Sequence, residues 1–156
     1  MIRVAILSTI LGIFSGCSQK VQTDDAILRI LYYKDVAGTP ELWEIHWDYL
    51  RQQDPSEQGP PFTVSSPFSE DDKKRFRRAF EALQIDSLET YYKGDDAEGA
   101  PGIVLEFYPT SPKKKVVQLR AYRHEELLHL LKVVNDLSAF KCDYTEDLER
   151  REKDKR

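Results

Sequence analysis

Cysteine is scarce in this chain, with two residues, Cys17 and Cys142, in 156. Two thiols cannot build a disulfide-dense scaffold. Seven glycines and eight prolines are too few for collagen-like or Gly-rich low-complexity architecture. Positive charge is not in excess either: 23 Lys and Arg face 27 Asp and Glu, a formal charge of −4. That balance argues against a general nucleic-acid binder, whose surface is ordinarily basic. The spaced signatures G-x-S-x-G, the P-loop and G-x-G-x-x-G are absent. What is present is a 40% hydrophobic, 32% charged composition, that of a globular domain with a polar surface. A length of 156 residues sets an expectation of one domain.

The N-terminus reads as an address. A single charge, Arg3, precedes an apolar run from Val4 to Phe14, about eleven residues. That suits a signal-peptide core and falls short of the ~20 residues needed to span a bilayer. Ser15-Gly16-Cys17 follows at once. A short basic start, an apolar run, a small pair and a cysteine resemble the lipobox signal of bacterial lipoproteins. The resemblance implies a signal peptide over 1–16 and an acylated Cys17 as the mature N-terminus. It implies a lipid-anchored protein of the cell envelope. Ser18 in place of Asp implies the outer membrane where the envelope has one. Residues 17–25 are then lipidated cysteine and polar tether, and Ser18–Asp25 reaches at most about 28 Å. Cys142 is left as the only free thiol, expected buried and inert.

From Ala26 the text is that of an α+β domain over 26–142. AILRILYY (26–33) is apolar and β-prone, and Leu42–Tyr49 alternates, with Trp43, Ile45, Trp47 and Tyr49 on one side. Phe62–Ser65 suggests a short edge strand inside a proline-rich loop. Ser69 caps a helix whose Phe76, Ala79, Phe80 and Leu83 form one stripe. Ile103–Tyr108 and Val116–Ala121 flank a Pro109–Pro112 turn as a second hairpin, and Leu127, Leu130, Leu131, Val134 and Leu137 mark a closing helix. The expected architecture is ββα-ββα: an antiparallel sheet of four to five strands with two helices on one face. The tail 143–156, rich in both charges, is expected to be a solvated, frayed helix or a disordered end. This order is similar to small uncharacterised domains behind bacterial secretion signals, which carry no activity to transfer.

Few constellations offer chemistry. His124 and His129 in HEELLH are five apart, about 140° around a helix, so they cannot share a zinc as H-E-x-x-H does. Glu44, His46 and Asp48 at i, i+2, i+4 of a strand project to one side and form a candidate metal or acid–base row. Adjacent members sit ~6.5–7 Å apart, so further ligands would be needed. Lys74, Arg77 and Arg78 lie opposite the apolar stripe of the first helix and are the candidate partner-binding patch. No cofactor and no nucleic-acid partner are expected. The reading is a membrane-anchored, non-enzymatic protein-binding module, with a metal-dependent enzyme or small-ligand binder on Glu44/His46/Asp48 as the alternative. Cys17→Ser is expected to abolish acyl labelling and release the protein from the membrane fraction, since buried CH₂ groups at ~0.8 kcal/mol each supply the anchoring. Unchanged labelling and fractionation would refute the lipid anchor.

Overall fold

A computed structural model describes residues 26–34, 38–53, 64–95, 97–108 and 114–154. The signal peptide, Cys17, the tether and the Pro109–Pro112 turn lie outside the described residues. The strands are β1 (Leu28–Tyr33), β2 (Glu41–Ile45), β3 (Tyr49–Gln52), β4 (Val64–Pro67), β5 (Tyr91–Lys93), β6 (Gly102–Phe107) and β7 (Lys115–Arg120). The helices are α1 (Glu70–Glu81), α2 (Glu125–Leu137) and α3 (Tyr144–Asp154). The strands form one seven-stranded sheet in the order β4-β3-β2-β1-β6-β7-β5.

The α+β class holds, but the finer expectation does not. The sheet is mixed rather than antiparallel, because β5 runs parallel to β7, with Tyr92 opposite Leu119. The additional strands come from two places. Leu42–Tyr49 is not one strand: β2 ends at Ile45, residues 46–48 turn, and β3 begins at Tyr49. The turn shifts the alternation by one residue: Leu50, not Tyr49, lies opposite Ile45 and shares its buried face, so Tyr49 stands on the side of Glu44 rather than with Trp43 and Ile45 as expected. Tyr91 and Tyr92, in a stretch with no strand assigned from the sequence, form β5 after a 3₁₀ turn at Ile85–Ser87. Gly94 makes that edge possible. A Cβ there would lie 1.9 Å from the Ala121 carbonyl oxygen, so only glycine lets the two backbones meet.

Both expected hairpins are present: Leu28 pairs with Ile45, and Gly102 with Arg120. Pleating sends Leu28, Ile30 and Tyr32 of β1 into the core, where none has measurable exposure. Trp43, Ile45, Leu105, Phe107, Val117 and Leu119 join them. Three helices, not two, cover this face. α1 opens with a capping box between Ser69 and Asp72 and buries Phe76, Ala79 and Phe80, Phe80 packing on Phe107. α2 buries Leu127, Leu130, Leu131 and Val134 beside it. His124 stands at its N-cap.

The tail is helical, but it is docked on the core rather than solvated. Tyr144 has no exposure, stacks edge-on to Tyr32, and its hydroxyl donates to the Tyr122 carbonyl at 3.0 Å. Tyr32 in turn donates to Asp147. The link into α3 is clamped from both sides. Asn135 donates to the Cys142 carbonyl and accepts from its N–H, at 2.9 and 2.8 Å. Buried Gln52 and Trp43 hold Ala139 and Phe140. The tail's charges hid this packing, because two apolar residues one turn apart are enough to dock a short helix. Phe80→Ala and Tyr144→Ala are each expected to cost about 3–5 kcal/mol in denaturant melts. Arg78→Ala, on the exposed side of α1, is expected to cost under ~0.5 kcal/mol.

Candidate functional site

With every described helix on one side, the other face of the sheet carries the alternate residues of each strand. Register then decides which of them touch. Arg51 lies opposite Glu44, Glu44 opposite Arg29, and Arg29 opposite Glu106, so four charges alternate in sign across β3, β2, β1 and β6. Cross-strand pairs of opposite charge are the favourable arrangement on a sheet surface.

Glu44 is the hub, although only 1% of it is exposed. Arg29 donates from Nε and Nη2 to Oε2 at 3.1 and 3.0 Å. Arg51 donates from Nη2 to Oε1. His46 lies with Nε2 at 2.9 Å from Oε1, and a carboxylate can only accept, so Nε2 carries the hydrogen. Burial by itself would raise the carboxyl's pKa. The hydrogen bonds from Arg51, His46 and Arg29 outweigh it and hold Glu44 below the ordinary carboxylate range. Tyr49 stacks on the His46 ring at 4.1 Å and fixes its plane. The network continues without a break: Arg29 donates to the Tyr108 hydroxyl at 3.1 Å, which donates to Glu106 at 2.7 Å, and Lys114 also donates to Glu106.

The candidate metal row is therefore divided. Glu44 and His46 are brought together, but Asp48 is not, because the strand ends before it. Asp48 stands 74% exposed in the turn and pairs with Lys73 at 3.1 Å. Both Glu44 oxygens are committed to N–H donors. Among the described residues, no group of three or more His, Cys, Asp or Glu is arranged to hold a metal. No serine or cysteine hydrogen-bonds to His46 among the described residues.

The basic helix is largely matched within the fold. Lys74 is 3.7 Å from Asp71, and the Arg77 guanidinium lies 4.9 Å above the Trp47 ring. Arg75 pairs with Asp136 of α2 at 2.7 Å rather than with Asp71 of its own helix. Arg78 lines a cleft of about 290 Å³ between α1 and α2, with Arg75 and His129. Of the tryptophans, Trp43 is core and Trp47 packs edge-on against Phe76 and Phe80, so they do not floor a common site. Cys142 is buried, and burial pushes its thiol pKa up to about 12, which makes it a poor nucleophile. No described helix is long and apolar enough to cross a membrane.

No family model, curated protein or solved structure matches the chain. The site thus rests on its own geometry.

Sequence reasoning found Glu44 and His46 but missed Arg29, Arg51, Glu106, Tyr108 and Lys114. Arg29, Arg51 and Glu106 take outward positions of β1, β3 and β6, Tyr108 follows β6 and Lys114 precedes β7, and only the pairing register places them in one network. Glu44 carries a depressed folded-state pKa, so its contribution is complete above the ordinary value and is lost as pH falls through the folded one. Glu44→Gln is expected to lose about 3 kcal/mol at pH 7, since two arginines lose their counter-charge. The gap from the parent should narrow as pH falls below the ordinary carboxylate range and through the depressed folded-state value, where the parent's own carboxylate protonates. Urea midpoints at pH 7 and down an acid series test this; a gap that stays equal throughout would exclude an ionised Glu44.

Proposed function

We propose that this chain is a lipid-anchored protein of the cell envelope that acts without catalysis, by binding another protein through the uncovered face of its sheet. The observation that carries the reading is the division of the sheet: three helices on one side, and on the other a fixed row of alternating charges that no described helix covers. Charges already locked in place lose little side-chain freedom when a partner docks. An alternating row rewards a partner of complementary sequence and penalises a mismatch, which gives specificity more than raw affinity. A catalytic reading has less support, because the Glu44–His46 pair is closed on itself and no serine or cysteine among the described residues hydrogen-bonds to it. The basic helix is the weaker surface. Of Lys74, Arg77 and Arg78, only Arg78 lacks an ion-pair or ring partner among the described residues. The lipobox-like N-terminus supports the anchor, and a tether of at most about 28 Å would keep the domain at the lipid surface.

Photo-crosslinking in intact cells tests the surface. A photoreactive residue at Ser65 or Val116, both on the uncovered face, is expected to give a reproducible protein adduct. The same probe at Lys132, exposed on α2, is expected to give none. Adducts from Lys132 alone, or from none of the three, would overturn the sheet as the contact surface.

A further inference from the structure

The two ends of the uncovered face differ in a way that charge counting hides. Around Glu44 and Glu106, every cation has an anion. At the other end, a cleft of about 490 Å³ opens over β1, β6, β7 and β5. Tyr33, Tyr91, Gly102, Val104, Gln118 and Arg120 line it. Among the described residues, no side-chain hydrogen bond or ion pair engages Arg120, Gln118 or either tyrosine hydroxyl. Lys93, paired in register with Arg120 on the neighbouring strand, is equally uncommitted. Two cations side by side, with no counter-ion among the described residues, repel one another and favour an anion between them.

The floor of the cleft is as telling as its rim. Gly102 begins β6, flanked by Tyr33 on β1 and Arg120 on β7. Its backbone is not in the left-handed region, and a Cβ there would meet only the Leu119 carbonyl oxygen, at an ordinary 3.7 Å. Nothing in the fold requires glycine at this position, and glycine weakens a strand. What the missing side chain does provide is open space above the sheet beside Tyr33 and Arg120, in a cleft that Tyr91 also lines. Its volume is in the range of small-molecule sites, which run from about 300 to 1,000 Å³.

We propose that this cleft binds a small ring-bearing carboxylate. The ring lies over Gly102 against the faces of Tyr33 and Tyr91. The carboxylate meets the Arg120 fork and Lys93, and the Gln118 amide supplies a further polar contact. A cationic ligand is disfavoured by the same two basic residues, and a bare inorganic anion leaves the tyrosines and the glycine floor unused. This site does not depend on the protein-binding reading, since it uses the opposite end of the face and a different class of ligand.

The test is a chemical-shift titration of the full chain in detergent with phenylacetate, compared with phenylacetamide and acetate. Phenylacetate is expected to shift the amides of Gly102, Gln118 and Arg120 saturably. Removing the charge, as phenylacetamide, or the ring, as acetate, should weaken binding about tenfold or more, the effect of losing one charge-assisted or one packing contact. Arg120→Gln, an outward surface change, and Gly102→Val, which fills the floor with a strand-favouring side chain, should each weaken phenylacetate by about tenfold or more. A spectrum otherwise like the parent's shows that each variant is folded. The proposal is overturned if phenylacetate gives no saturable shift in the cleft, or if phenylacetamide or acetate binds as well. It is equally overturned if folded Arg120→Gln and Gly102→Val both retain parental affinity.

Discussion

A carboxylate almost sealed from water stands in the middle of the sheet face that no described helix covers, and N–H donors from three side chains make that tolerable. Glu44 would be costly to bury unpaired. Arg29, Arg51 and His46 remove the cost, and each comes from a different place in the chain: one strand before, one strand after, and the turn between. The hub therefore ties the register of β1, β2 and β3 together on the outer side. Slipping any of these strands by one residue would turn a charge into the core and an aliphatic side chain out. The inner side sets the same register independently, through Ile30 against Trp43 and Leu28 against Ile45. Two faces agreeing on one alignment is the consistency expected of a well-specified fold.

Much of this was legible along the chain. The stripe of Phe76, Ala79, Phe80 and Leu83 is helical in spacing and buried as read, and Ser69 caps it. The Leu127–Val134 pattern likewise became α2. These are local signals, carried by residues a turn apart. The errors share the opposite character. Alternation from Leu42 to Tyr49 cannot reveal that a tight turn interrupts it. Tyr91 and Tyr92 give no local hint that a parallel partner waits at Gln118 and Leu119. Tyr144 and Leu148 look like stray apolar residues until Tyr32, more than a hundred positions earlier, is placed beneath them. Strand pairing at long range is what a single sequence conceals.

The candidate site shows the same divide. Glu44 and His46 announced themselves because they sit two apart on one strand. Their partners did not, since Arg29, Arg51 and Glu106 become neighbours only across hydrogen-bonded strands. The metal reading of Glu44, His46 and Asp48 drew on strand geometry that ends one residue before His46. Lys74, Arg77 and Arg78 looked like a free patch, but Asp71 and the Trp47 ring engage two of them. Composition counts charges; it does not say which of them are already engaged.

β5 has a consequence for motion rather than for shape. It is three residues long, lies at the rim of the sheet, and is hydrogen-bonded to β7 alone. Short edge segments with one neighbour open at far lower free energy than the strands they lean on. Tyr91, one wall of the cleft, rides on this segment, whereas Tyr33 and Gly102 belong to strands paired on both sides. The two walls therefore differ in stiffness. Release of β5 would widen the cleft further while the rest of the sheet stays folded, a change confined to one short edge segment rather than a hinge between bodies.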